Sequence, residues 1–214
     1  MQTKLWLIRH GETHWNAGSR IQGSTDIPLN PTGLRQAQAV AGWMQPQEIQ
    51  AVYSSGLQRA QQTATPLAIS KGLSVDIHVN LAERNFGEFQ GLTPDEIYRQ
   101  FPEKYTSWQS REPDFCPQDG ESLTDFYSRV RDAIQGIITR HAGETVAVVT
   151  HGGVLDIVYR IANQLSVQRA RNWSIGNAAI HQARAMGDQI EILRWGIQDH
   201  LEGQSVRDEL GGIS

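Results

Sequence analysis

Two short apolar runs in this chain each end in a histidine followed by glycine, and that pairing constrains the fold more than any other feature. The first run is Lys4-Leu5-Trp6-Leu7-Ile8, which breaks at Arg9-His10-Gly11. The second is residues 145–150, TVAVVT, followed by His151-Gly152-Gly153. Runs of five or six apolar residues stopped by polar residues and glycine read as buried strands. An α/β protein uses such strand ends to deliver side chains to the rim of its sheet.

Helical patterns alternate with these runs. Residues 31–44 predict a helix. Asn30 is placed to cap it, Pro31 suits its first position, and Leu34, Ala37, Ala41 and Met44 recur at helical spacing. Residues 51–53 read as a second strand closed by Ser54-Ser55-Gly56. A helix through Leu57, Ala60, Ala64 and Ala68 then stops at Gly72. Residues 75–79 alternate as a third strand. Residues 122–141 give the clearest helix. Ser122 and Asp125 resemble a capping box, and Leu123, Phe126, Tyr127, Val130, Ile134, Ile137 and Ile138 form one apolar stripe. Residues 154–163 predict a further helix. The alternating runs 178–184 and 189–195 predict a hairpin across Met186-Gly187-Asp188, and the tail after Trp195 reads as irregular and mobile.

Strands alternating with helices imply a mainly parallel central sheet in an α/β fold, with helices on both faces. Residues 84–120 differ in character, being rich in aromatics, prolines and charges, and read as a small helical cap insertion. The whole chain, 1–214, is expected to form a single domain, since 214 residues bury one core without needing a second.

Composition excludes several classes. A net charge of -4 argues against nucleic acid, whose binders carry a basic stripe. Cys116 is the only cysteine, so no internal disulfide forms, which suits a reducing compartment. The N-terminus lacks the apolar core of a signal peptide, and no stretch approaches the ~20 apolar residues of a membrane helix. The expectation is a cytoplasmic protein with no membrane partner.

Four segments bring polar groups to one rim of the predicted sheet. They carry His10, His151, Ser54-Ser55 with Arg59 five residues on, and Glu83. Phosphoryl transfer to a side chain needs such a set. Neutral imidazole is a competent nucleophile, which suits His10. Arg9 and Arg59 offer forks that match phosphate oxygens. His151 stands beside Gly152 at a helix start, where an anion is favoured. Glu83 is the candidate proton donor, since crowding beside an anionic phosphate favours its protonated form. His10 and His14 are four apart, as in a metal-binding helix, but Gly11 follows a strand and no third ligand sits at familiar spacing. No metal and no cofactor are expected.

The ordered blocks LIRHGETHWN (7–16), RIQGSTDIPLNPTG (20–33), SSGLQRAQQTA (54–64), LAERNFGEFQG (81–91) and VAVVTHGG (146–153) together resemble the phosphoglycerate mutase-like histidine phosphatases. The resemblance implies a three-layer α/β sandwich with a cap. It implies phosphorylation of His10, a phosphoryl group held by Arg9, Arg59 and His151, and Glu83 acting as acid and then base. It also implies that Asn16 and Gln22, with Gly23 and Gly152, lie near the phosphate or the substrate. The family contains mutases and phosphatases. Here FGEFQG runs directly into Leu92-Thr93-Pro94 without the Asn-Lys pair of the mutases. That form is closer to the broad phosphatase branch, which acts on small metabolite phosphates such as α-ribazole phosphate, phosphoserine or phosphoglycerate. The expected activity is hydrolysis of a small phosphomonoester through a phosphohistidine. A phosphoglycerate mutase is the alternative, a non-catalytic phosphate-binding module is a third reading, and homodimer formation stays open.

Overall fold

The structure is a computed structural model that describes residues 1–203 and 206–208. Among these residues six strands form one sheet: β1 (Thr3–Arg9), β2 (Ala51–Ser54), β3 (Val75–Ile77), β4 (Thr145–Thr150), β5 (Ile180–Met186) and β6 (Gln189–Ile197). Their order is β3-β2-β4-β1-β5-β6. The pairs β1·β4, β2·β4 and β2·β3 are parallel, and β5 and β6 add an antiparallel hairpin beside β1. The sheet is mixed, with four parallel strands from the β3 edge to β1 and the antiparallel hairpin forming the other edge.

The two-residue period of a strand sorts side chains to opposite faces. Leu5, Leu7, Val146 and Val148 face a cluster built with α6 (Leu123–Arg140) and α7 (Gly152–Asn163). Trp6, Ile8, Ala147 and Val149 face a second cluster built with α2 (Pro31–Met44) and α3 (Gln58–Lys71). The result is three layers, helices over sheet over helices. Each large aliphatic side chain fully buried between them contributes about 1.5–3 kcal/mol.

Helix starts follow the sequence closely. The Asn30 side chain accepts from Gly33 N at 2.8 Å, with Pro31 at the first position of α2. Leu34 departs from the expected stripe and is half exposed. The buried face instead runs through Gly33, Gln36 and Ala37, because the start of α2 packs against the loop after His10. A Cβ on Gly11 would come within 2.6 Å of Gly33 O. The glycine pair permits that approach, and Gln36 Oε1 accepts from Glu12 N at 2.7 Å. At α6, Ser122 Oγ accepts from Asp125 N at 3.0 Å and donates to the Asp125 carboxylate at 2.7 Å. The serine caps the helix, while Asp125 holds the hydroxyl and does not return to the backbone. Strand β3 stops at Ile77, two residues short of the expected end, because its only partner β2 ends at Ser54.

Residues 84–120 contain α4 (Pro94–Gln100) and α5 (Pro102–Gln109). A separate apolar cluster of Ile21, Phe89, Ile97 and Trp108 holds them together. The short helix α1 (His14–Ala17) follows the loop after β1. The tail is less irregular than its sequence suggests. Strand β6 continues to Ile197, a 3₁₀ turn spans Asp199–Leu201, and residues 206–208 lie against Arg9 and Asn177. The rest of the tail falls outside the described residues. Among the described residues no helix is long and apolar enough to cross a membrane.

Candidate active site

The chain leaves β1 toward β2 and leaves β4 toward β5, on opposite sides of the β1·β4 pair. Ligands in open α/β sheets bind at such a switch point, beyond the carboxyl ends of the strands. His10 follows β1 and His151 follows β4. Their rings lie 5.1 Å apart between centroids, at 57°. His10 lines a cavity of about 280 Å³ whose wall also includes Arg9, Arg59, Glu83 and Gly152, and His151 is buried beside it. Five arginines and three carboxylates line this cavity, so its charge is opposite in sign to that of the chain.

His10 is 2% exposed. Its Nδ1 lies 2.7 Å from Gly11 O. A carbonyl only accepts, so Nδ1 carries the hydrogen and Nε2 keeps the lone pair. Burial, then the positive charges of Arg59 and Arg9, push the His10 pKa well below its ordinary value, against a smaller opposing effect of the Gly11 hydrogen bond. His151 is fully buried, and its Nε2 lies 2.7 Å from Ser55 Oγ at the end of β2. Its Nδ1 has no partner among the described residues. Burial, followed by Arg59, His10 and Arg9, lowers this pKa well below the ordinary value too. Both rings are therefore neutral near pH 7.

Arg59 is fully buried on the first turn of α3. Its Nη2 donates to Gly23 O at 2.7 Å and its Nη1 to Thr25 O at 2.8 Å. This fork ties the 22–25 loop to the cavity wall. Gly23 has φ +54, and a Cβ there would overlap Gln90 Oε1. Arg9 Nη1 donates to Ile175 O at 2.5 Å and to Arg207 O at 3.2 Å. Its guanidinium passes Gly152, where a Cβ would make ordinary contact at 3.6 Å.

Glu83 follows the 3₁₀ turn Val79–Leu81 and reaches the cavity wall. Its Oε2 accepts from Gly153 N at 2.9 Å, at the start of α7, and its Oε1 from Arg84 N at 2.8 Å. A Cβ on Gly153 would overlap Glu83 Oε1, so only glycine admits the carboxyl at this spot. Arg129 of α6 donates to the carbonyls of Asn80, Ala82 and Glu83 at 2.8–3.1 Å and so fixes the segment that carries the carboxyl.

His151, fully buried beside His10, is not part of the cavity wall, but Gln22, Gly23 and Gly152 reach it along with Arg9, His10, Arg59 and Glu83. Asn16 does not. Its Oδ1 accepts from Thr13 N at 2.9 Å and its side chain is buried behind the wall, beside Thr13 and Asn177. This residue, expected near the phosphate, holds the loop after β1. His14 is exposed while His10 is buried, so the two do not converge. Among the described residues no three metal-ligating side chains cluster. Sequence reasoning missed Arg129, Phe126, Trp108, Arg111, Arg171 and Asp208. Gly153 carried a legible signal in its place after His151-Gly152. Arg129 carries no such signal, because nothing in the sequence around it marks the carbonyls it holds.

The family model of the histidine phosphatase superfamily (branch 1) matches residues 5–198. Phosphoglycerate mutase-like protein 4 of Arabidopsis thaliana is 40% identical over 204 residues, covering 93% of this chain and 87% of that one. The metal-independent phosphoserine phosphatase of the same plant is 42% identical over 177 residues, or 81% and 74%. The solved phosphoserine phosphatase of Entamoeba histolytica, in complex with 3-phosphoglyceric acid, aligns at TM-score 0.82 and 27% identity over 93% of this chain and 99% of that one. With two strand-end histidines at the switch point and a family model spanning nearly the whole chain, this protein belongs to the histidine phosphatase superfamily, branch 1.

Proposed function

We propose that the chain hydrolyses a small phosphomonoester by moving its phosphoryl group onto His10 and then onto water. One observation carries this reading: a buried imidazole at the cavity base, neutral, with Nδ1 committed to Gly11 O and two guanidiniums beside it. Nε2 attacks phosphorus, the phosphorus–oxygen bond to the alcohol breaks, and the electron pair leaves on that oxygen. Glu83, protonated, gives its proton to the departing alkoxide. Glu83, now a carboxylate, takes a proton from the water that attacks the phosphohistidine, and inorganic phosphate leaves. Arg9, Arg59 and His151 stabilise charge on the phosphoryl oxygens. In this reading the chain works as one domain, and residues 84–120 serve as a cap, since Phe86, Trp108 and Arg111 supply its wall. Its single cysteine fits a cytoplasmic setting.

A panel of phosphomonoesters tests the proposal, with a 3-phosphoglycerate mutase assay run beside it. Release of inorganic phosphate that EDTA leaves unchanged is the expected result. Phosphate shuttled between the oxygens of phosphoglycerate without release would make the chain a mutase.

Arg59→Ala is expected to act on the chemical step. At an effective dielectric of about 20, unit charges ~4 Å apart interact by ~4 kcal/mol. Losing half of that only in the transition state slows kcat by roughly 30-fold. Arg59 also helps hold the His10 pKa down, second to burial. The acid limb of kcat/KM therefore lies below pH 6.5 in the native protein and moves to higher pH in the variant. A raised KM with kcat and pH profile unchanged would assign Arg59 to ground-state binding alone.

A further inference from the structure

The cavity has a second cationic end. Arg111 and Arg171 line it there with Asp156 and Asp208. Asp156 Oδ2 pairs with Arg160 Nε at 2.8 Å and with Arg111 Nη2 at 3.0 Å. Arg111 Nε is taken by Val167 O at 2.6 Å. Arg160 is fully buried and lies over the Trp173 ring, 4.9 Å from its centroid. Two guanidiniums thus share one carboxylate from the body of the fold.

The second carboxylate comes from the tail. Asp208 Oδ1 accepts from Arg171 Nη2 at 2.6 Å, and Oδ2 accepts from Ile175 N at 2.9 Å. Each oxygen has its own donor, as a planar carboxylate requires. The Arg171 side chain is only 4% exposed, and its Nη1 has no partner among the described residues. Arg9 Nη1 lies 3.9 Å from Asp208 Oδ1. One guanidinium therefore separates this end from the His10 end. The same cavity is lined from His10 to Arg111, Arg171 and Asp208, so it extends beyond the end that would hold a phosphoryl group.

We propose that Arg171 and the Ile175 N–H form a receptor for a carboxylate on the substrate, and that Asp208 is an internal stand-in which that carboxylate displaces. The proposal rests on the hydrolase reading above and narrows its substrate to the phosphomonoester of a small hydroxy acid or hydroxy amino acid. The geometry explains why a tail residue is held by two separate donors on the cavity wall. It also explains the spare Arg171 nitrogen, which a mobile substrate carboxylate engages and the tethered Asp208 does not. Displacement leaves the negative charge count of the cavity unchanged, so the arginine cluster is neutralised before and after binding.

The experiment compares 3-phosphoglycerate with glycerol 3-phosphate. These differ by a carboxylate against a hydroxymethyl group and share an alkyl leaving group. The native protein is expected to favour 3-phosphoglycerate in kcat/KM by about 10- to 100-fold, the worth of a hydrogen bond to a charged group. Arg171→Gln brings the ratio to within about threefold, through KM for 3-phosphoglycerate. Asp208→Asn moves the ratio the other way, severalfold, by weakening the internal competitor. A folding defect cannot raise the ratio, so the second variant stands even where the first is unstable. A native ratio near one, equal losses for both substrates in Arg171→Gln, or a poorer ratio in Asp208→Asn would each overturn the receptor. Hydrolysis of neither substrate, with p-nitrophenyl phosphate also untouched, overturns the hydrolase reading and this inference with it.

Discussion

His10→Ala is expected to lower turnover by at least about 10⁴-fold with every phosphomonoester, whatever the leaving group. The reason is covalent. The proposed route has no first step without a nitrogen at this position, and the nearest other ring, His151, is tied at Nε2 to Ser55. Good leaving groups do not rescue the variant, because the missing part is the nucleophile and not the proton. The side chain is small and its one hydrogen bond goes to the adjacent carbonyl, so the fold is expected to survive. A thermal melt within a few degrees of the native protein checks this. Residual hydrolysis at one-hundredth of the native rate, in protein shown free of contaminating phosphatase, would mean direct attack by water and remove His10 from its role.

Glu83→Gln has the second largest expected effect, and its size depends on the leaving group. An alkoxide needs a proton as it departs, whereas p-nitrophenolate leaves without one. An amide has no proton of useful acidity. Formation of the phosphoenzyme from an alkyl phosphate should slow by about 10²–10⁴-fold, and from p-nitrophenyl phosphate far less. The geometry warns of a second effect. Both carboxyl oxygens accept backbone N–H groups, from Gly153 and Arg84. Glutamine keeps one acceptor and turns its NH₂ toward the other donor, which misplaces the side chain and costs about 1–3 kcal/mol. That loss falls on both substrates alike, so the ratio between leaving groups isolates the proton. Hydrolysis of the phosphohistidine should slow as well, since the same group then accepts a proton from water. Equal slowing of phosphoenzyme formation for both substrates would make Glu83 a positioning residue and send the search for the acid to His151.

Much of the fold was legible because the core segments obey local rules. The run 145–150 is a strand with the boundaries its composition predicts, and Asn30-Pro31 starts α2 where capping chemistry says it should. The histidines were legible because both stand at strand ends with glycine next to them. Leu34 was misread because the packing face of α2 is set by a glycine–glycine approach to the His10 loop, a tertiary fact that hydrophobic spacing does not encode. Asn16 was expected near the phosphate, yet its side chain turns to Thr13 and Asn177. Arg171 and Asp208 lie 37 residues apart in flanking segments without periodicity. Nothing in either segment announces a salt bridge at a cavity wall, and the tail after Trp195 reads as irregular and mobile. Arg129 was hidden differently. Its neighbours on α6 make an ordinary amphipathic helix, and its function is to hold three carbonyls that no sequence pattern marks.

The central claim is that the phosphoryl group rests on His10 between its two transfers. The direct measurement is rapid quench at alkaline pH during turnover of a labelled phosphomonoester, followed by digestion and peptide mapping. The account predicts acid-labile, base-stable phosphate on the peptide containing His10. It forms no more slowly than turnover and is absent from His10→Ala. Turnover at the native rate with no label on the protein, or label on a peptide carrying His151 and not His10, would contradict it.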